Sequence, residues 1–71
     1  MSRIPFHQIA QVAHECAKRV MMTGRAESLT AMNSYERRLV HTELASYTEL
    51  ETSSIGNEPN RRVVIAKRAI L

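Results

Sequence analysis

Phe6, Ile9, Ala10, Ala13, Cys16, Ala17, Val20 and Met21 recur at helical spacing and fall on one face of a helix. Gln8, Gln11, Glu15, Lys18, Arg19 and Met22 take much of the other face. The pattern predicts an amphipathic helix over about residues 5–22, with Pro5 in its first turn and Gly24, after Thr23, as the left-handed residue that stops it. A helix with one apolar stripe needs a second layer to cover it. A chain of 71 residues has little material for that layer and buries only about 60% of its unfolded surface. With no tryptophan and a single phenylalanine, the core must be built from aliphatic side chains.

The second layer is legible further along. Val63-Val64-Ile65 is β-branched throughout, the strongest strand signal in the chain, and it predicts a strand over residues 62–67. Val63 and Ile65 share one face, and Arg62, Val64 and Ala66 share the other. Thr48 to Ser53 alternates, with Thr48, Leu50 and Thr52 on one side. Gly56-Asn57-Glu58-Pro59-Asn60 between the two segments is dense in turn residues, so the pair predicts a β-hairpin. Arg25 to Met32 fits an edge strand or a strand end, with Leu29 and Ala31 facing one way. Glu27 would share that face, which is awkward for a buried strand. A second helix is expected over about Ser34–Ser46, with Val40, Leu44 and Tyr47 as its apolar stripe, Leu39 at one margin, and Arg37 and His41 at the other. Arg38, Thr42 and Tyr35 fall toward solvent.

The order helix, strand, helix, hairpin implies an α+β fold with two helices packed on a small three-stranded, mainly antiparallel sheet. Residues 1–71 read as one domain, with its core over about 7–66. There is no internal repeat, low-complexity tract or linker. The net charge of +3 favours a polyanionic partner. Cys16 has no second cysteine to pair with, which fits a reducing compartment. No apolar run approaches the roughly 20 residues that span a bilayer, and no secretory signal follows Arg3, so the cytoplasm is the expected location.

The candidate site opens the second helix. Asn33 is a favourable N-cap and Glu36 stands three positions on, a capping-box spacing. Arg37 and His41 follow, four residues apart and so one turn above each other on one helix face. Both can donate to a phosphate, the arginine as a planar fork. No acid or thiol is interleaved on that face. On spacing alone a charged helix flank is the better fit for the pair.

The Arg37-x-x-x-His41 spacing is the one that names the R3H domain, and three segments in order carry the resemblance. Thr23-Gly24-Arg25 closes the first helix. Met32-Asn33-x-Tyr35-Glu36-Arg37-Arg38-x-Val40-His41 opens the second. Thr52-x-Ser54-x-Gly56-x-Glu58-Pro59-x-Arg61-Arg62-Val63-Val64-Ile65 forms the hairpin. Together, over about residues 7 to 66, they resemble the C-terminal R3H domain of the Jag family, bacterial RNA-binding proteins, associated with sporulation, that also carry a KH domain. The resemblance implies a small α+β unit that binds single-stranded RNA or DNA, with Arg37 and His41 on the phosphate backbone. It extends the basic track to Arg61 and Arg62, which match the family's basic pair at the start of the last strand. Alternation across the sheet leaves one of those two on the shared surface, with Arg62 preferred. Edge protection by charge is an equal reading of the pair, and Arg38 is a third contact or a solvated surface residue.

The chain departs from the family at Thr30-Ala31 and Ser34, where prolines are usual, and at Glu27, where an apolar residue is usual. No KH domain accompanies these residues, so a piece of a longer protein and a natural R3H-only protein both stay open. The alternative function is a protein-interaction or adaptor module of a larger RNA-binding or membrane-associated regulatory protein. No cofactor is implied. His7 and His14, seven apart, lack the tighter set and second cluster that a metal site needs. No nucleophile-base arrangement and no glycine-rich phosphate loop are present, so no enzyme is expected.

Overall fold

The computed structural model describes residues 5–69. Helix α1 (Phe6–Thr23) buries Ile9, Ala13, Cys16, Ala17 and Val20, the stripe expected from its spacing. Pro5 stands just outside the helix as its extended N-cap, and its carbonyl accepts from the Gln8 and Ile9 N–H groups, both at 3.1 Å. The core begins at Ile9, and Phe6 in the first turn is 53% exposed. Gly24 ends the helix at φ 75°, where its N–H reaches the Val20 carbonyl at 2.8 Å. That left-handed conformation is open to glycine without a Cβ penalty.

Three strands form one antiparallel sheet in the order β1-β3-β2, with β1 at Glu27–Ser28, β2 at Leu50–Ile55 and β3 at Arg62–Lys67. The fold is the α+β arrangement that the sequence implies, with β3 at its centre. Val63 and Ile65 are fully buried on the face that meets both helices, joined by Leu29, Met32, Val40, Leu44 and Leu50.

Three boundaries differ from the sequence expectation, each for a local reason. Helix α2 (Ser34–Glu43) stops before Ser46, because the Ala45 N–H bonds back to the Thr42 carbonyl and closes a tighter turn. Strand β2 starts two residues later than its alternation suggests. A shift of two keeps the pleat, so Leu50 and Thr52 hold their expected face and Ser54 joins them. Strand β1 is only two residues long. After it the Leu29 N–H bonds the Val63 carbonyl, and Leu29 and Met32 turn inward. Glu27 does face α1, opposite Ile65, and Arg19 reaches over to meet it: Nε and Nη2 lie 3.2 and 3.1 Å from Oε1. That contact holds the Glu27 carboxyl below its usual range. The Cys16 thiol, 3.5 Å from the same oxygen, is pushed up by burial first and by the carboxylate second.

Candidate nucleic-acid interface

The start of α2 is fixed by a complete capping box. The Glu36 N–H donates to Asn33 Oδ1 at 2.8 Å, and the Asn33 N–H donates to Glu36 Oε1 at 3.0 Å. The preceding residue, Met32, is tied to the sheet, because its N–H bonds the Arg61 carbonyl at 3.0 Å. This pins the first turn of α2 beside the first residues of β3, so Arg37 meets the hairpin turn.

Arg37 is not an open fork. Its Nη1 donates to the Met32 carbonyl at 2.6 Å, and its Nη2 lies 3.1 Å from Glu58 Oε2. The side chain is only 10% exposed, whereas that of Glu58 is 59% exposed. The expectation that no acid neutralises this face is corrected here. The acid comes from the turn, 21 residues along the chain, where helix spacing cannot show it.

His41 is half-buried, with both ring nitrogens engaged by β2: Nδ1 lies 2.6 Å from Thr52 Oγ1 and Nε2 3.2 Å from Ser54 Oγ. A neutral imidazole donates from one nitrogen and accepts at the other, and hydroxyls can play either role. Burial first, and the nearby Arg37 charge second, lower its pKa from the ordinary 6.5. His41 is therefore a neutral donor-acceptor at neutral pH.

The other basic residues divide by strand register. Thr52 pairs with Ile65 and Ser54 with Val63, so the face that carries the His41 partners carries the odd-numbered residues of β3. Arg62 points to the opposite face, and Arg61 stands just ahead of the strand, its carbonyl bonded to the Met32 N–H that leads into α2. Arg61 holds the turn, its Nη1 donating to the Gly56 carbonyl at 2.7 Å, and Arg62 Nε donates to the Asn60 carbonyl at 3.3 Å. Each keeps most of its five N–H donors. Arg38 is exposed and has no ion pair among the described residues.

Beside His41 an open groove of about 470 Å³ runs between Leu44, Tyr47, Leu50, Thr52 and Arg68. His14 closes one end of α2 onto α1, with Nε2 3.0 Å from Glu43 Oε1 and Nδ1 2.8 Å from the Tyr47 hydroxyl. A carboxylate only accepts, so in a neutral ring Nε2 carries the hydrogen and Nδ1 accepts from Tyr47. Thr52, Ser54 and Glu58 enter the sequence reading only as residues of the hairpin segment that carries the resemblance; their contacts with His41 and Arg37 are a finding of the structure. Among the described residues, no group of three or more His, Cys, Asp or Glu side chains is placed to hold a metal ion. No helix there is long and apolar enough to cross a membrane.

The α+β fold and the capped helix that carries the Arg37-x-x-x-His41 spacing are those the resemblance implies. Residues 7–67 match the R3H domain. The chain belongs to the R3H domain family. It is 40% identical over 60 residues to the RNA-binding protein KhpB of Lactiplantibacillus plantarum, covering 84% of this chain and 19% of that protein. The corresponding figures for the RNA-binding protein KhpB of Clostridium symbiosum are 42% over 55 residues, 78% and 25%. For that of Bacillus subtilis they are 32% over 62 residues, 84% and 30%. These are relatives of the Jag family that the three segments resemble. The chain thus spans 19–30% of the length of the curated relatives it matches.

Proposed function

We propose that this chain binds single-stranded nucleic acid, RNA in preference to DNA, through phosphate contacts made around α2 and the β2–β3 turn. The observation that carries the reading is membership of the R3H family, with relatives named as RNA-binding proteins over the same residues. The chemistry of the surface agrees with it. Arg38 is an exposed cation one helical step from His41, and Arg61 has N–H donors left over at the rim of the turn. Arg37 joins when a phosphate takes the place of Glu58 on its outer edge, since both offer oxyanions to the same planar donors. His41 contributes its one N–H when a phosphate displaces the Thr52 or Ser54 hydroxyl from the ring, and the freed hydroxyl becomes a further donor. Arg62, on the far face, adds charge at a distance.

Contacts of this kind read backbone and not sequence. Affinity should fall with salt at a log–log slope of roughly −0.7 per phosphate neutralised, so two or three contacts make the chain alone a weak binder. A KH domain in the same parent protein would raise the overall affinity through effective concentration. The role is binding without catalysis, and the expected place is the cytoplasm.

The test is an NMR titration of the isotopically labelled chain with a short single-stranded RNA at low salt, repeated at higher salt. Shifts clustered at Arg37, Arg38, His41 and Arg61 that fade with salt are the expected result. An unchanged spectrum at low salt would sink the reading in favour of the adaptor module.

A further inference from the structure

Only three residues of the chain are aromatic outside histidine: Phe6, Tyr35 and Tyr47. Tyr47 is accounted for, packed on the core with its hydroxyl on His14. Tyr35 is not: it is 62% exposed and lies outside the core cluster. It is the second residue of α2, in the turn held rigid by the capping box, so it costs little to keep in place. Tyr35, Arg38 and His41 stand at successive steps of three along α2. Side chains three apart are surface neighbours, and at 1.5 Å rise per residue the row is about 9 Å long. An exposed ring, an exposed cation and a half-buried imidazole thus follow one another out of the motif.

We infer that Tyr35 is a stacking platform for a nucleobase, with Arg38 on the adjoining phosphate, so that a strand seated at His41 continues around α2 and lays a base on the tyrosine ring. Every base offers a π-face, so the platform adds affinity without fixing sequence. Positive charge on the adjacent step favours a polyanion over an apolar peptide at this aromatic. The inference rests on the RNA-binding reading and names the second part of the nucleotide, the base, that the phosphate contacts leave unaddressed.

The experiment compares the full chain with Tyr35→Ala and Tyr35→Trp by fluorescence anisotropy at low salt. The probes are an eight-nucleotide oligoadenylate and an abasic ribose-phosphate oligomer of the same length. The expected result is a loss of about fivefold or more for Tyr35→Ala on oligoadenylate, the lower end of the range for one base–aromatic stack. Tyr35→Trp should bind at least as well as the parent chain, and all three should bind the abasic oligomer alike. The Tyr35 ring resonances should move upfield with oligoadenylate and stay in place with the abasic chain. Equal binding of oligoadenylate by the parent chain and Tyr35→Ala overturns the platform while leaving phosphate binding intact. So does an equal loss on both oligomers. A parent chain that binds neither oligomer overturns the RNA-binding reading and the platform with it.

Discussion

Arg37 and Glu58 form an ion pair at 3.1 Å whose two halves sit in different environments, the Arg37 side chain 10% exposed and that of Glu58 59% exposed. The asymmetry separates two roles that one salt bridge would otherwise merge. Removing the buried partner leaves the Met32 carbonyl without its 2.6 Å donor, so Arg37→Met should cost about 1–3 kcal/mol of folding stability. Neutralising the exposed partner should cost less, about 0.2–1 kcal/mol for Glu58→Gln. Chemical denaturation of the two variants checks the order, and equal losses would contradict it.

The same pair makes a prediction for binding. If a phosphate must take the place of the Glu58 carboxylate, Glu58→Gln should bind single-stranded RNA more tightly than the parent chain. Glu49→Gln serves as the control, because it removes the same charge at the opposite end of the hairpin. Equal gains in the two variants would assign the effect to net charge and leave Glu58 with a structural role.

His41 should link stability to pH. Its folded pKa lies below the ordinary 6.5, so between the two values the unfolded chain binds more protons than the folded one. The stability it contributes is complete above 6.5 and is lost as the pH falls through the depressed folded value. An NMR titration of the His41 ring should give a midpoint below 6.5, set by burial first and Arg37 second. A midpoint at or above that value would mean the ring is open to solvent or ligand in solution. RNA affinity near neutral pH should accordingly vary little with His41 charge.

How far the sequence reaches depends on the range of the interaction. The α1 stripe, the Gly24 stop, the Asn33 capping box and the limits of β3 each follow from residues a few positions apart, and all four stand in the structure. The surroundings of the motif do not follow in that way. Arg37 and His41 were legible as a pair on one helix turn, but their burial and partners come from the hairpin: Glu58 for the arginine, Thr52 and Ser54 for the imidazole. Glu27 is the converse case. Its awkward position was visible, but its solution, an arginine reaching across from α1, required the packing of helix on sheet.

Strand register yields a further pair of predictions. Arg61 stands just ahead of β3, tied by its carbonyl to Met32 at the start of α2, and Arg62 lies on the β3 face opposite the His41 partners. Arg61→Ala should therefore weaken RNA binding and reduce the salt slope by about 0.7, the loss of one phosphate contact. Arg62→Ala should leave the slope unchanged. Arg61 also holds the turn through the Gly56 carbonyl, so the thermal midpoint of each variant must be followed alongside. A slope that falls for Arg62→Ala and stays for Arg61→Ala would place the ligand on the open face of the sheet.

Ile65 is where the two layers meet. It lies on the central strand, opposite Glu27 on one side and Thr52 on the other, and it is fully buried beneath the helices. Truncation to alanine opens a void that both helices and both neighbouring strands would have to fill together. Ile65→Ala should cost about 2–5 kcal/mol, a large fraction of the marginal stability of so small a core. The neighbouring Val64 is half-buried on the other face, and Val64→Ala should cost clearly less. Urea denaturation of the two variants measures the difference. Similar losses at both positions would mean that the open face of the sheet is covered in solution.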